Sequence, residues 1–217
     1  MTFARDERLA LCALLDQAGP QAPTLCEGWT TLDLAAHLVI RERRLDAAAG
    51  MLGGPFAGHA KRVQDSLTER TPFSDIVQAI RSGPPRLSLF GVPGMDERAN
   101  VVEFFVHHED VRRATDGWEE RKVTPRLAEA LWRRLSMARF ILRKAPVGVE
   151  LARDDVQSTP GKQRVRITAK ARTPVVTVTG SPAELTLWAL GRTSVAQVRL
   201  DGVEAALSAL RSATWRI

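Results

Sequence analysis

The sequence has no tyrosine and only two cysteines among its 217 residues, and these shortages narrow the chemistry that the chain can perform. Without tyrosine, no phenolic group can act as an acid or a base. Cys12 and Cys26 are too few for a disulfide framework, so we expect both to stay reduced in the cytoplasm. Neither is expected to be a nucleophile, because Cys12 lies in an apolar helical stripe and Cys26 precedes a Gly-Trp turn.

Long apolar runs and blocks of like charge are also missing. No stretch approaches the ~20 apolar residues of a membrane-spanning helix, and the N-terminus lacks the layout of a secretory signal. The net charge of +6 comes from arginines that are spread along the chain and alternate with acids. We therefore expect neither a membrane nor a nucleic-acid partner, and a basic pocket for a small anion explains the charge equally well. Phosphate-loop, serine-elbow and dinucleotide-binding motifs are absent as well.

Hydrophobic periodicity and turn residues predict an α+β fold in two parts. Helices are predicted up to about residue 145, at Phe3–Ala18, Thr31–Ala49, His59–Ser82 with a break at Thr71-Pro72, Asn100–Ala114 and Thr124–Ala145. From Pro146 onward, strands are predicted at Val149–Ala152, Arg164–Lys170, Val175–Thr179 and Gln197–Leu200, and helices at Pro182–Leu190 and Val203–Arg211. The predicted domains are therefore a helical region, 1–145, and a small α+β domain, 146–217.

The helix Asn100–Ala114 carries a polar stripe within its apolar arc. Glu103, His107 and Asp110 recur at i, i+4 and i+7, and therefore share one face. Burying such groups without a partner costs several kcal/mol, so a divalent metal or other side chains must satisfy them. Asp110 is expected to orient a ligand histidine rather than bind metal. The opposite side carries His108, Glu109 and Arg112, which are expected to be solvated.

A metal site would need a further protein ligand from another helix. Of the four histidines, His37 is the best candidate, because it borders the apolar stripe of the helix that begins after Thr30. Two alternatives remain open. Glu103 and His107 can form a simple ion pair, and His37 can be a boundary histidine hydrogen-bonded to Asp33 or to a carbonyl group.

Two motifs taken together resemble the mycothiol-dependent maleylpyruvate isomerase family. They are GWTTLDLAAHL at Gly28–Leu38 and EFFVHHEDV at Glu103–Val111, and VTGSPAELTLWALGR at Val178–Arg192 extends the likeness into the C-terminal part. The resemblance implies a DinB-like metal-binding four-helix bundle followed by a small domain similar to sterol carrier proteins.

The same resemblance implies a site and an activity. His37, Glu103 and His107 would hold a divalent metal, zinc or alternatively nickel, and mycothiol would be the cofactor. The chain would then be a thiol-dependent transferase or isomerase that acts on a small electrophilic substrate, with Arg41 and Arg44 contacting the substrate or the thiol. A non-enzymatic metal- or ligand-binding module is the alternative, with a structural metal or none. The sequence does not indicate an oligomeric state.

Overall fold

Local sequence signals set several helix ends in the N-terminal half of the chain. The Thr30 side chain accepts a hydrogen bond from the Asp33 backbone N–H, and the Asp33 carboxylate accepts one of 2.9 Å from the Thr30 backbone N–H. This reciprocal capping box starts the second helix where the sequence predicts it. The first helix ends at Gly19, whose φ of +75° lies in the left-handed region that favours glycine.

The computed structural model describes residues 2–48, 50, 57–85, 95–156 and 165–213, and the chain divides into two compact units, Met1–Glu119 and Glu120–Ile217. The described helices of the first unit are α1 (Phe3–Ala18), α2 (Thr31–Arg43), α3 (Leu45–Ala48), α4 (Ala57–Arg70), α5 (Phe73–Arg81) and α6 (Met95–Arg112). Helix α1 packs along α6 and against α5, whereas α2 packs against α4 and α5.

Two predicted helices of this unit differ from the observed ones. The second was predicted to continue to Ala49, but α2 ends at Arg43 because Arg44 leaves the helical region, with φ −128° and ψ 74°. The helix of the polar stripe begins at Met95, one and a half turns earlier than predicted. The predicted interruption at Thr71-Pro72 is confirmed, since it separates α4 from α5.

The second unit contains a four-stranded mixed sheet within its described residues. Its strands are β1 (Gly148–Arg153), β2 (Arg166–Lys170), β3 (Val175–Gly180) and β4 (Arg199–Asp201). They lie in the order β2-β1-β3-β4. The central pair β1 and β3 is parallel, and the outer pairs are antiparallel. A Cβ atom at Gly148 would lie 1.9 Å from the carbonyl oxygen of Arg172, so only glycine fits there. Arg164, in the predicted second strand, lies outside the described residues.

Helices of this unit pack with the sheet in one hydrophobic core. Trp132 and Leu142 lie in the same buried cluster as Leu151 and Val176 of the central strands. The helix that was predicted to continue to Ala145 is shorter than expected, and single helical turns follow it. Its parts are α7 (Pro125–Arg134), the 3-10 turns Leu135–Met137 and Leu142–Lys144, and α8 (Ala138–Ile141); α9 (Pro182–Ala189) and α10 (Glu204–Ser212) follow.

The α+β class is thus confirmed by the mixed helical and sheet architecture. Along the chain, the boundary between the two compact units falls between Glu119 and Glu120, whereas the change from predicted helices to predicted strands falls at Pro146. The division into domains 1–145 and 146–217 stays a prediction. In the part of the chain that the structure describes, no helix is long and apolar enough to cross a bilayer.

Candidate metal centre

Helix α6 is buried on almost every side, which corrects one expectation from its sequence pattern. His108 is 8% exposed and Glu109 is fully buried, although solvated positions are predicted there. Nδ1 of His108 lies 3.1 Å from Oε2 of Glu7 on α1, and Glu109 accepts a hydrogen bond of 2.7 Å from Arg113 Nε. Arg112 also pairs with Glu109, and its side chain is 25% exposed. The packing of α1 along α6 and these ion pairs make the burial possible, and the pattern of α6 alone does not contain that information.

Three of the predicted site residues lie together at one place between α2 and α6. Oε1 of Glu103 lies 3.3 Å from Nε2 of His37 and 3.4 Å from Nε2 of His107. One ligand atom from each residue lies within 4.8 Å of the other two. The side chains of His37, Glu103 and His107 are 17%, 24% and 11% exposed, so the cluster is largely but not completely shielded from solvent.

Two of the three distances between these donor atoms match a small divalent ion, and the third, between His37 and His107, is at most 4.8 Å. Zinc bound tetrahedrally with bonds of about 2.1 Å places neighbouring ligand atoms about 3.4 Å apart. The distances from Glu103 to the two histidine nitrogens are 3.3 and 3.4 Å, close to that value. Two imidazoles and one carboxylate are also a donor set that suits zinc with an open coordination position.

Asp110 fixes the ring of His107 from its other nitrogen. Its Oδ2 atom lies 2.8 Å from His107 Nδ1, and the carboxylate is fully buried. A proton on Nδ1, donated to Asp110, leaves the Nε2 lone pair directed toward Glu103 and His37. When His107 is neutral, the i, i+3 spacing on α6 thus favours the tautomer that a metal ligand requires.

The charges in the cluster are strongly coupled. Burial would raise the pKa of Glu103, but hydrogen bonds from His107 and His37 and the nearby positive charge outweigh it and hold that pKa well below its usual range. Burial would lower the pKa of His107, but its contacts with Asp110, Cys26 and Glu103 raise it well above the usual value. The pKa of His37 is lowered, chiefly by burial. The metal-free cluster therefore favours an imidazolium at His107 between two carboxylates.

The two arginines singled out on α2 have different positions. Nε of Arg41 lies 3.3 Å from Oε1 of Glu103, so its guanidinium borders the cluster. Arg44 instead makes two hydrogen bonds, of 2.9 and 2.8 Å, to the carboxylate of Asp46. Because α2 ends between these positions, the structure brings only Arg41 to the site.

A buried polar network that the sequence reading missed lies behind Arg41. Asn100 accepts a hydrogen bond from the Arg41 guanidinium and donates one of 2.9 Å to Glu42. Glu42 in turn accepts two hydrogen bonds of 2.7 Å from Arg8, whose guanidinium stacks on Phe104 at 4.2 Å. Arg8 and Glu42 are 3% and 1% exposed. A signal was available, since Arg8 precedes the buried Leu11 and Leu15 by three and seven residues and so shares their helix face.

Cys26 is the second group whose position the sequence did not predict. Its sulfur lies 3.4 Å from Oδ2 of Asp110, and it groups with His107 and Asp110 as a second set of potential metal donors. The neighbouring Leu25 backbone N–H donates to the Asp110 carbonyl oxygen at 3.0 Å. The loop before the Gly-Trp turn is therefore joined to α6 next to the cluster.

Cys12 is expected to resist alkylation in the folded protein. Burial raises the pKa of its thiol to about 11, and the side chain is fully buried. Since the thiolate is the reactive form, iodoacetamide at neutral pH should label Cys26 first and Cys12 only after unfolding. Peptide mass spectrometry of native and urea-treated protein measures this directly. Equal labelling of both cysteines under native conditions would contradict the expected burial.

Comparison with known proteins identifies the family to which the chain belongs. The family described as mycothiol maleylpyruvate isomerase N-terminal domain matches residues 3–135, more than half of the sequence. The chain belongs to this family. Two crystal structures of mycothiol-dependent maleylpyruvate isomerase match its fold, a histidine-to-alanine mutant with a TM-score of 0.58 at 16% identity and a second structure with 0.54 at 18% identity. Both comparisons cover 92% of this chain and 90% of the other. A comparison with curated proteins finds no significant match.

The mycothiol maleylpyruvate isomerase family match contains the whole cluster. His37, Glu103 and His107 all lie within residues 3–135, as do Arg41 and Asp110. The likeness to the solved structures extends over nearly the whole chain and shows the fold of the C-terminal part. The resemblance that two short motifs suggest is thereby confirmed at the level of the family.

Proposed function

We propose that the chain is a mycothiol-dependent isomerase or transferase that acts on a small electrophilic substrate. The observation that carries this is the convergence of His37, Glu103 and His107 in a shielded site, within a chain of the mycothiol maleylpyruvate isomerase family. We also infer the finer fold assignment, a DinB-like four-helix bundle with a sterol-carrier-like domain, which agrees with the helices of the first unit and the mixed sheet of the second. A cytoplasmic location agrees with the two free cysteines.

In this proposal His37, Glu103 and His107 hold a divalent metal, most simply zinc. A metal held by these residues would lower the pKa of a bound thiol and favour its nucleophilic thiolate form. The nearby thiol of this chain, Cys26, touches Asp110 from the far side of His107. The nucleophile would therefore come from mycothiol and not from the chain.

The other residues orient and shield the site. Asp110 holds the ring of His107 so that Nε2 faces the cluster. The ring of Trp29 lies 5.1 Å from that of His37, centroid to centroid, and packs against it from one side. The Arg41 guanidinium, 21% exposed, offers a positive charge to an anionic substrate or to polar groups of the thiol. This proposal assigns no role to Arg44, whose guanidinium forms an ion pair with the Asp46 carboxylate.

Purified protein tests this with maleylpyruvate, the substrate in the names of the related structures. We expect the zinc-loaded protein to isomerise it with added mycothiol and not with glutathione or without a thiol. If maleylpyruvate is inert, mycothiol-dependent conjugation of chlorodinitrobenzene would indicate the transferase instead. No thiol dependence with either substrate would contradict the proposal and favour the non-enzymatic module.

Metal affinity at this site is expected to rise with pH. The folded protein raises the pKa of His107, so its imidazolium stabilises the metal-free fold fully below the unfolded value of ~6.5, and this stabilisation is lost as pH rises through the folded pKa. A metal must displace that proton, so the apparent Kd should fall by up to about tenfold per pH unit in this range. Competition with a chromophoric chelator between about pH 6 and 8 measures the slope. A Kd that does not change with pH would show that His107 is not a ligand.

A further inference from the structure

A cavity in the first unit lies apart from the His37–Glu103–His107 cluster. Its volume is about 610 Å³, within the range of small-molecule sites. It lies between α2 and α4, and none of its described lining residues belongs to the cluster. These described residues are Val39, Ile40, Arg43, Arg44, His59, Arg62, Val63, Ser66, Leu67, Arg70 and Thr71.

Helix α4 presents two parallel rows to this cavity. Arg62, Ser66 and Arg70 recur every four residues, so they form one row along the helix. Val63 and Leu67 form the adjacent row and are only half-buried. Ala60 is the only buried residue of α4, and Leu67 is partly buried against the hydrophobic core of this unit, so part of the apolar row faces the cavity.

The α2 side adds an apolar floor and two occupied arginines. Val39 and Ile40 are 8% and 1% exposed and form the floor. Arg43 is held by three hydrogen bonds of 2.8 to 2.9 Å, to the Ala79 and Gly83 carbonyl oxygens and the Ser82 hydroxyl. Arg44 is paired with a carboxylate. These two arginines contribute positive potential, and their guanidinium groups are already held by these contacts.

Arg62 and Arg70 differ from them, since neither has an ion-pair or hydrogen-bond partner among the described residues. No carboxylate is among the described lining residues. The two arginines are about 12 Å apart along the helix, and their long side chains can both reach an anion that lies over the row between them. An apolar surface next to unneutralised guanidinium groups is complementary to a molecule with an apolar body and an anionic group.

We propose that this cavity binds a soluble, amphiphilic organic anion. Its apolar body lies on Val39, Val63 and Leu67, and its carboxylate, sulfonate or phosphate lies between Arg62 and Arg70. The site is separate from the metal centre and does not depend on the proposed isomerase or transferase activity.

Titration with anilinonaphthalene sulfonate, an aromatic body with one sulfonate, tests the site on the full chain. We expect one dye per protein, with the same Kd in metal-free and zinc-loaded protein. The double variant Arg62→Glu/Arg70→Glu should bind at least about tenfold more weakly, because two charge-assisted contacts become repulsive. The matched control Arg126→Glu/Arg199→Glu changes two exposed arginines of the second unit and the net charge equally, and should keep the wild-type Kd. Equal weakening in both double variants would reduce the effect to net charge and overturn the proposal.

A second variant and two competitors test the apolar half. Val63→Gln should weaken dye binding while circular dichroism and the thermal midpoint stay as in wild type, because Val63 lines the cavity and does not pack in the core cluster. Octanoate should displace the dye, whereas octylamine, of equal chain length and opposite charge, should not. Displacement by both would indicate a merely hydrophobic surface and overturn the proposal. Sedimentation with phosphatidylserine vesicles that Arg62→Glu/Arg70→Glu abolishes would assign the arginines to a membrane surface and also overturn it.

Discussion

Replacement of His107 by alanine is expected to remove the metal and the thiol-dependent activity together. His107 offers Nε2 to the cluster, 3.4 Å from Glu103, and Asp110 fixes its ring from Nδ1. Loss of an outer partner of a metal ligand already costs about 10–100-fold in affinity, so loss of the ligand itself should exceed a hundredfold. Elemental analysis of the purified variant, followed by chelator competition, measures the loss. Retention of one metal equivalent would refute the assignment of His107 as a ligand.

The neighbouring histidine provides a matched control. His108 lies on the same helix and has the same exposed fraction, 8%, but it contacts Glu7 of α1 instead of the cluster. We expect His108→Ala to lower stability, because it leaves the buried Glu7 without this contact, and to retain the metal. If both alanine variants lose the metal, the loss at His107 reflects disturbed folding and not a missing ligand.

The second large effect is expected at Glu42, on stability. Removal of this carboxylate by Glu42→Ala leaves the Arg8 guanidinium buried, 3% exposed, without the partner that accepts its two bonds of 2.7 Å. Breaking a buried ion pair in this way costs about 3–5 kcal/mol. Urea unfolding followed by circular dichroism should show a correspondingly lower midpoint with an unchanged slope. A midpoint equal to that of wild type would mean that the pair does not contribute to stability.

Two further variants separate the ion pair from a general effect of lost charge. Arg8→Met/Glu42→Leu removes both charges and should recover most of the stability, because apolar side chains of similar size can replace a buried pair. Asp46→Ala breaks the exposed pair with Arg44 and should leave the midpoint unchanged. A double variant as unstable as Glu42→Ala would place the cost in packing and not in the unpaired charge.

Features that depend on local spacing could be predicted from the order of the residues alone. The Thr30–Asp33 capping box, the stop at Gly19 and the break at Thr71-Pro72 each depend on a few neighbouring residues, and the structure has all three. The pairing of Glu103 with His107 is likewise local, because four residues complete about one helical turn. The order of the two motifs also sufficed to identify the family.

The neighbours of each helix depend on how the helices pack, and local spacing does not specify them. His37 joins Glu103 and His107 because α2 and α6 meet, and no periodicity within either helix contains that contact. Arg41 lies within α2, whereas the backbone of Arg44 has left the helix, so the two arginines have different partners. The burial of His108 and the ion pair of Arg8 and Glu42 arise between helices distant in sequence. A spacing rule describes one helix, whereas the free energy of burying a charge depends on the partner that a second helix supplies.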